Sequence, residues 1–310
     1  SPGAKPEELR GGVLGGSLMQ GTLKVGDDIE IAPGRKTEVA GKVVYENILA
    51  KVTSLEAGGK RLRPAMTLYV CEMLDGDIRR TLPFACALEM IHTYSLIHDD
   101  LPCMDNDDYR RGMPSNHKVF GEANAVLAGD GLLSLAFDTM LAAIANNPCQ
   151  GEIKAAQAVS EGAGVQGMVA GQVADLASEK SGARDMDTLR FIHINKTGAM
   201  IRASLLAGGC VAGADEEQLK ALSDFGYAYG DLFQMTDDIL DVEGSFESMG
   251  KTLGKDAQEG KLTYISLVGL EEAKKIAGQT AENALAALDI FGEKAWLLRE
   301  LTNATLSRKS

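Results

Sequence analysis

The sequence is short of aromatic residues, of basic charge and of paired cysteines. It holds one tryptophan, and aromatics make up 5% against 45% hydrophobic residues. That is an ordinary globular composition, rich in Ala and Leu and leaning towards helix. Lys and Arg number 31 against 44 Asp and Glu, a net charge of −13 with a pI near 4.9. No basic stripe is present, which argues against a nucleic-acid partner. A phosphorylated substrate is not excluded, because bound metal ions would invert the local field. The five cysteines (Cys71, Cys86, Cys103, Cys149 and Cys210) are odd in number and widely spaced, with no CxxC or zinc spacing. They read as free thiols of a reducing compartment. No signal-peptide pattern and no apolar run near 18 residues is evident, so the expectation is a soluble cytoplasmic protein with no membrane span. A length of 310 residues allows one large domain or two.

What the sequence has instead is acid in blocks. Leu96 to Gly112 reads LIHDDLPCMDNDDYRRG, five aspartates followed by Arg110 and Arg111. The preceding run, Ala85 to Ile97, is helical in pattern, with Pro83 suited to a first turn and Thr81 placed as a cap. Asp99 then falls near the end of that helix, on one face with His92 and Ser95. Carboxylates at a helix C-terminus oppose the macrodipole, so a cation should offset them. A hard divalent ion held by oxygen ligands is the natural candidate. A second block, Gln234-Met-Thr-Asp237-Asp238-Ile-Leu-Asp241, places Gln234, Asp237, Asp238 and Asp241 on one helical face. Like charges at this spacing repel, a cost that makes sense on a chelating face. Two such faces could hold Mg²⁺, which takes one or two carboxylates plus water and phosphate oxygens. A diphosphate substrate follows.

DDxxxxD followed by RR, and a later DDxxD, resemble the two Asp-rich motifs of the short-chain trans-isoprenyl diphosphate synthases, most closely the bacterial farnesyl type. GGKRLRP at 58–64, His92, FGEANAVLAGD at 120–130, GQVADL at 171–176, NKTGAMI at 195–201 and GKTLGKD at 250–256 occur in the family's order. The resemblance implies a prenyltransferase that joins an allylic diphosphate (dimethylallyl or geranyl) to isopentenyl diphosphate, in a homodimer. It implies Mg²⁺, three ions per site with substrate bound, on Asp99, Asp105 and Asp237, with Asp100 and Asp241 next. Arg110, Lys196 and Lys251 would help neutralise the allylic diphosphate. Thr197 and Gln234 would steady the carbocation, with Gln172 a weaker candidate. Lys60, Arg63, His92 and Arg111 match the isopentenyl diphosphate site, and Lys261 follows the GKTLGKD stretch. Tyr94 and Ser95, five and four residues before Asp99, would floor the tail pocket. A bulky ring there, roughly 7 Å down the helix, stops growth at fifteen carbons; the geranylgeranyl type is the alternative. His98, His117 and His193 read as structural, and Cys103 as a small apolar filler.

Residues 11–45 differ from everything after them. Thr22 to Val25 and Ile29 to Ile31 alternate with period two around Gly26-Asp-Asp28; Ala32-Pro-Gly34 marks another turn, and Gly41 to Tyr45 a third strand. This stretch resembles the second, β-barrel domain of the gamma subunit of translation initiation factor 2, with a likeness ending near Lys60. The expectation is therefore a β-rich segment over 1–57, a chimeric junction near Gly58, and an all-α bundle over 58–310 with its site between facing helices. Val43 to Ala57 could alternatively form one helix. Helices are predicted at 62–74, 82–100, 118–145, 152–180, 185–210, 215–245, 262–290 and 292–308. The rival classes are weaker. A GTPase fails because Gly244 to Gly250 encloses five residues where a P-loop needs four, and NKTG lacks the Asp of NKxD. An inactive regulatory homologue is disfavoured by two intact Asp motifs.

Overall fold

The structure, a computed structural model, describes residues 28–39, 42–51, 61–146, 148–181, 185–243 and 262–308. The chain divides into two units, Ser1–Lys60 and Arg61–Ser310. In the first, β1 (Asp28–Val39) pairs antiparallel with β2 (Lys42–Lys51), Val39 opposite Lys42 and Asp28 opposite Lys51. The strand expected from Ile29 is there, but it runs on through Ala32-Pro-Gly34 to Val39 rather than ending at a turn there. Those three residues fall in a register shift between Ile31 and Arg35. Proline has no N–H to donate to a ladder, so a bulge is where it is tolerated. The alternative helix from Val43 is not formed as far as Lys51; 52–57 and the strand expected at 22–25 lie outside the described residues.

The second unit is all-α. Its helices are α1 (Leu62–Met73), α2 (Ile78–Asp99), α3 (Asn116–Phe120), α4 (Glu122–Asn146), α5 (Gln150–Ala163), α6 (Met168–Ser181), α7 (Met186–Ile192), α8 (Ala199–Ala212), α9 (Glu216–Glu243), α10 (Tyr264–Val268), α11 (Leu270–Ala287) and α12 (Trp296–Leu306). A small hairpin, β3 (Tyr109–Arg110) with β4 (Met113–Pro114), interrupts them, and a π turn, His193–Gly198, joins α7 to α8. Helix α8 is the hub. Its sequence AMIRASLLAGGCVA is small and apolar all round, and all but Arg202, Val211 and Ala212 are buried. A helix without a polar face belongs inside. Its Ile201, Leu205 and Leu206 join one core cluster with Met66, Val70, Phe225 and Leu288. Its Met200, Ala203, Ala207 and Cys210 join another with Phe84, Leu88, Ile91, Tyr94 and Met140.

Two local expectations are corrected. α2 begins at Ile78, not 82, because the Asp77 carboxylate accepts the Arg79 N–H at 2.9 Å and caps the helix four residues earlier. Pro83 therefore lies inside the helix, and Thr81 is buried against Cys71 rather than capping. The predicted helix 152–180 breaks at Gly164 to Gly167 into α5 and α6. Asp130 and Asp138 interrupt the apolar helix α4, so no uninterrupted apolar run of 18 residues occurs. Among the described residues α4 is long and apolar enough to cross a membrane, with a mean hydropathy of 1.4 and only 17% of that stretch buried. All five cysteines are free.

Candidate active site

The last turns of α2, the start of α1 and the β3–β4 hairpin enclose a cleft of about 230 Å³. Its walls are cationic. Arg61 stands at the head of α1 in a left-handed backbone conformation (φ 49°) and pairs with Glu89. Arg110 and Arg111 come from the hairpin, and Arg111 is again left-handed (φ 54°). His92 lies on the α2 wall. Two such strained residues cost of order 1–3 kcal/mol each and cluster where function requires them. Burial lowers the Arg63 pKa to about 10, against the pull of Glu89, and its Nε has no hydrogen-bond partner among the described residues. Burial and then the Arg61 charge lower that of Arg111. His92 is pushed down to about 3 by burial and then by Arg63, Arg111, Arg110 and Arg61. This is a site short of an anion.

His92 gives a pH prediction. Its pKa is lower in the fold than its ordinary 6.5, so between the two values the unfolded chain binds a proton that the folded chain does not. Stability is therefore lost as pH falls from 6.5 towards 3. Melting His92→Gln beside the native protein from pH 8 to 4 should show a shallower acid limb in the variant. Parallel limbs would mean that His92 does not titrate differently on folding.

The carboxylates sit beside this cleft. Asp99 is the last residue of α2, and the loop after it turns back so that the Asp105 N–H reaches the Asp99 carbonyl at 2.9 Å. Burial, then repulsion from Asp105, outweighs the Lys196 charge and holds the Asp99 carboxyl up at about 6. A carboxyl in that state is one that a cation would restore to its charged form. Asp100 lines the cleft but is 2% exposed; it accepts from Arg110 Nε at 2.7 and 2.9 Å, with Arg110 Nη2 at 2.5 Å from the same carboxylate. Ser95 turns its hydroxyl back to the His92 carbonyl at 2.9 Å, and Tyr94 is buried between α2 and α4.

Opposite, the π turn carries Lys196 and Thr197. One extra residue in a helical turn frees backbone groups, which is why such turns mark functional sites. Gly171 allows the approach of α6: a Cβ there would lie 2.1 Å from the Lys196 nitrogen. Lys196 Nζ donates to Asp175 at 2.6 Å; burial opposes its charge, but Asp175, Asp99 and Asp105 together hold its pKa above the usual value. The Thr197 hydroxyl donates to Gln234 Oε1 at 3.2 Å, so the second block's first residue meets this turn. Gln172 Nε2 is buried with no partner among the described residues. On α9, Asp241 is 3% exposed and Asp237 accepts from Arg308 at 2.7 Å. Lys60, Lys251 and Lys261 lie outside the described residues.

Among the described residues no three His, Cys, Asp or Glu side chains form a ready metal cluster. The donors nevertheless fit a hard cation. They are carboxylate oxygens, burial holds the Asp99 carboxyl up although Lys196 and Arg110 pull it down, and side-chain cations stand at the rest, Lys196 near Asp99 and Asp105, Arg308 on Asp237. Such a site is one that phosphate and water oxygens complete. Sequence reasoning passed over Arg61, Glu89, Asp175 and Arg308. Arg61 and Asp175 lie inside stretches already singled out, GGKRLRP and GQVADL. The Arg308 contact spans 71 residues and left no local signal.

The described residues thus bring together an all-α fold, two acidic helix faces, an arginine-lined cleft between hairpin and helix, and a π turn. A sequence profile of the Polyprenyl synthetase family matches residues 45–292, and the chain belongs to that family as a short-chain prenyltransferase. The chain is 46% identical over 261 residues to a putative geranylgeranyl pyrophosphate synthase 8, chloroplastic, of Arabidopsis thaliana, covering 83% of this chain and 70% of that one. Among solved structures it is similar to an FPP/GFPP synthase of Zymomonas mobilis, with a TM-score of 0.72, 37% identity and 81% and 84% of the two chains covered. It is also similar to a geranyltransferase of Helicobacter pylori complexed with magnesium and isoprenyl diphosphate, with a TM-score of 0.71, 37% identity and coverage of 80% and 83%.

Proposed function

We propose that the chain condenses dimethylallyl and geranyl diphosphates with isopentenyl diphosphate and releases farnesyl diphosphate. The observation that carries this is the cleft lined by Arg61, Arg110, Arg111 and His92, with Arg63 buried near it, beside Asp99 at the end of α2, whose carboxyl burial holds up. Two diphosphates of different fates need both. Arg63, Arg111, Arg61 and His92 hold the isopentenyl diphosphate, the arginines by their planar forks. Binding it relieves the crowding of cations there. Lys60, Lys251 and Lys261 belong to the same proposal from sequence alone.

Asp99, Asp105 and Asp237, with Asp241 next, are the ligands for Mg²⁺; three ions is the number the family resemblance implies. Bound there, Mg²⁺ supplies the charge that lets diphosphate leave. Asp100 serves through Arg110, whose guanidinium it aims at the same diphosphate. Lys196 faces the leaving group from the π turn. The Thr197 carbonyl and the Gln234 amide oxygen stabilise the allylic cation by fixed dipoles in a site from which water is excluded. The released diphosphate accepts the final proton, so no side-chain base is required.

Tyr94 sets the length. Its ring, 7% exposed, is packed in the core five residues before Asp99 with α4, α5 and α8 side chains around it, and is proposed as the floor of the tail pocket. The alternative product, geranylgeranyl diphosphate, is favoured by the name of the Arabidopsis relative. The exposed apolar side of α4, with Leu127, Leu135 and Leu141, is the surface for a second copy of this chain rather than for lipid. Its Asp130 and Asp138 suit a protein interface better than a bilayer. The free cysteines fit a reducing compartment, and the cytoplasm is the proposed location. A chimeric junction near Gly58 remains part of the proposal, although the family match extends upstream of it, from residue 45.

The test is a product assay with labelled isopentenyl diphosphate, either allylic diphosphate and Mg²⁺. A fifteen-carbon product that disappears on chelation supports the reading. A twenty-carbon product replaces it by the alternative, and no product from folded protein overturns it.

A further inference from the structure

The sequence reading left His98 as a structural histidine, and the reaction just proposed does not use it. Its surroundings are specific. The His98 ring meets Tyr94, one helical turn earlier, edge to face, with centroids 5.6 Å apart and planes at 79°. Its Nε2 lies 3.0 Å from the Val126 carbonyl on α4. A carbonyl can only accept, so Nε2 carries the proton. The ring also fills a notch that exists because residue 129 is glycine. A Cβ there would lie 2.0 Å from His98 Nε2 and 2.4 Å from Cδ2.

These contacts form a chain from one helix to the other: Gly129 makes room, the Val126 carbonyl fixes the imidazole, and the imidazole and Tyr94 rings meet nearly at right angles. A helical tyrosine has two open χ1 wells, and a neighbour at i+4 lies where it can select between them. We propose that His98 is the positioning residue that holds Tyr94 across the tail pocket. Gly129, on the opposite helix, is then the site through which the pocket depth is set. The inference rests on the reading of Tyr94 as the floor of that pocket.

The physical reason for a second residue is the discrimination required. The tail of the growing product must be stopped by a wall that does not swing aside. A pocket that differs by a single methylene already separates substrates by ten-fold or more. A ring free to move to its other rotamer would open a much larger space. Holding it needs a partner that is itself held, and the hydrogen bond to α4 does this at the cost of one side-chain rotamer.

The experiment sizes products from the native enzyme and from Tyr94→Ala, His98→Ala, His98→Gln and Gly129→Ala, with geranyl diphosphate, isopentenyl diphosphate and Mg²⁺. The quantity read is the ratio of twenty-carbon to fifteen-carbon product, which a loss of rate or of folded protein leaves unchanged. Tyr94→Ala should raise it roughly ten-fold or more. His98→Ala and Gly129→Ala should each raise it about three-fold or more, and His98→Gln, which keeps a donor for Val126 but loses the ring edge, should not restore the native ratio. If Tyr94→Ala lengthens the product while His98→Ala and Gly129→Ala do not, the positioning role is overturned and the floor stands. If Tyr94→Ala changes nothing, or the native enzyme already makes twenty carbons, the floor itself fails and the inference falls with it. Should His98→Ala fail to fold, Gly129→Ala decides alone.

Discussion

Asp99→Asn should lower kcat/KM for the condensation by roughly a thousand-fold, about 4 kcal/mol of transition-state stabilisation, while making the metal-free protein more resistant to heat at neutral pH. The two effects have one cause. Asp99 is buried, and its charge is opposed by burial and by Asp105 before Lys196 relieves it. An uncharged amide of the same shape removes that cost, and it also removes the oxygen that should take a metal ion. Melting with and without Mg²⁺ and inorganic diphosphate separates the two. The native protein should gain stability on adding both, as any ligand of the folded state confers. The variant should start higher and gain much less. A variant that is both less stable and still fully responsive to Mg²⁺ would remove Asp99 from the metal site.

Arg110→Ala is expected to act on the fold in addition to any loss of its proposed role at the diphosphate. The Asp100 carboxylate, 3% exposed in its side chain, would lose the guanidinium that now grips both oxygens. Removing one partner of a buried pair costs about 3–5 kcal/mol; because the Arg110 side chain is 32% exposed, about 2–3 kcal/mol is the discounted figure. Burial works against the Arg110 charge, and the Asp100 bonds with the Asp100, Asp99 and Asp107 charges still hold its pKa above the ordinary value. Denaturant unfolding of Arg110→Ala, Asp100→Ala and the double variant gives the coupling directly. The double variant should recover part of the loss, since no unpaired carboxylate remains. Equal midpoints for native protein and Arg110→Ala would show that the pair contributes no stability.

The helical body was legible because its signals are local. The spacing of His92, Ser95 and Asp99 along α2, and of Gln234, Asp237 and Asp241 along α9, is fixed by the helical period alone. Where two local signals competed, the stronger physical one decided. Asp77 supplied a cap before Pro83 could serve as a first-turn residue, and two glycines, Gly164 and Gly167, parted a helix that periodicity alone would have continued. The π turn at His193–Gly198 had no compositional mark, because the extra residue is accommodated by packing against α6 and α9 and not by a residue type. The reach of α4 beyond the core was likewise hidden. Its Ala, Leu and Phe residues look the same in sequence whether they meet α2 or the surface. Pairs such as Lys196 with Asp175 depend on which helices lie side by side, so no window along the chain contains them.

The contact between Arg308 and Asp237 makes the second acidic face a place where two cations compete. One is tethered, held near the carboxylate by the short stretch that follows α12, so its local concentration is set by chain length and is the same in every buffer. The other arrives from solution and varies with its supply. On the proposed reading, in which Asp237 takes Mg²⁺, occupancy of that face is governed by a ratio, with a threshold that the protein carries in its own covalent structure. Shortening or stiffening the stretch after Leu306 moves the threshold without touching a single ligand.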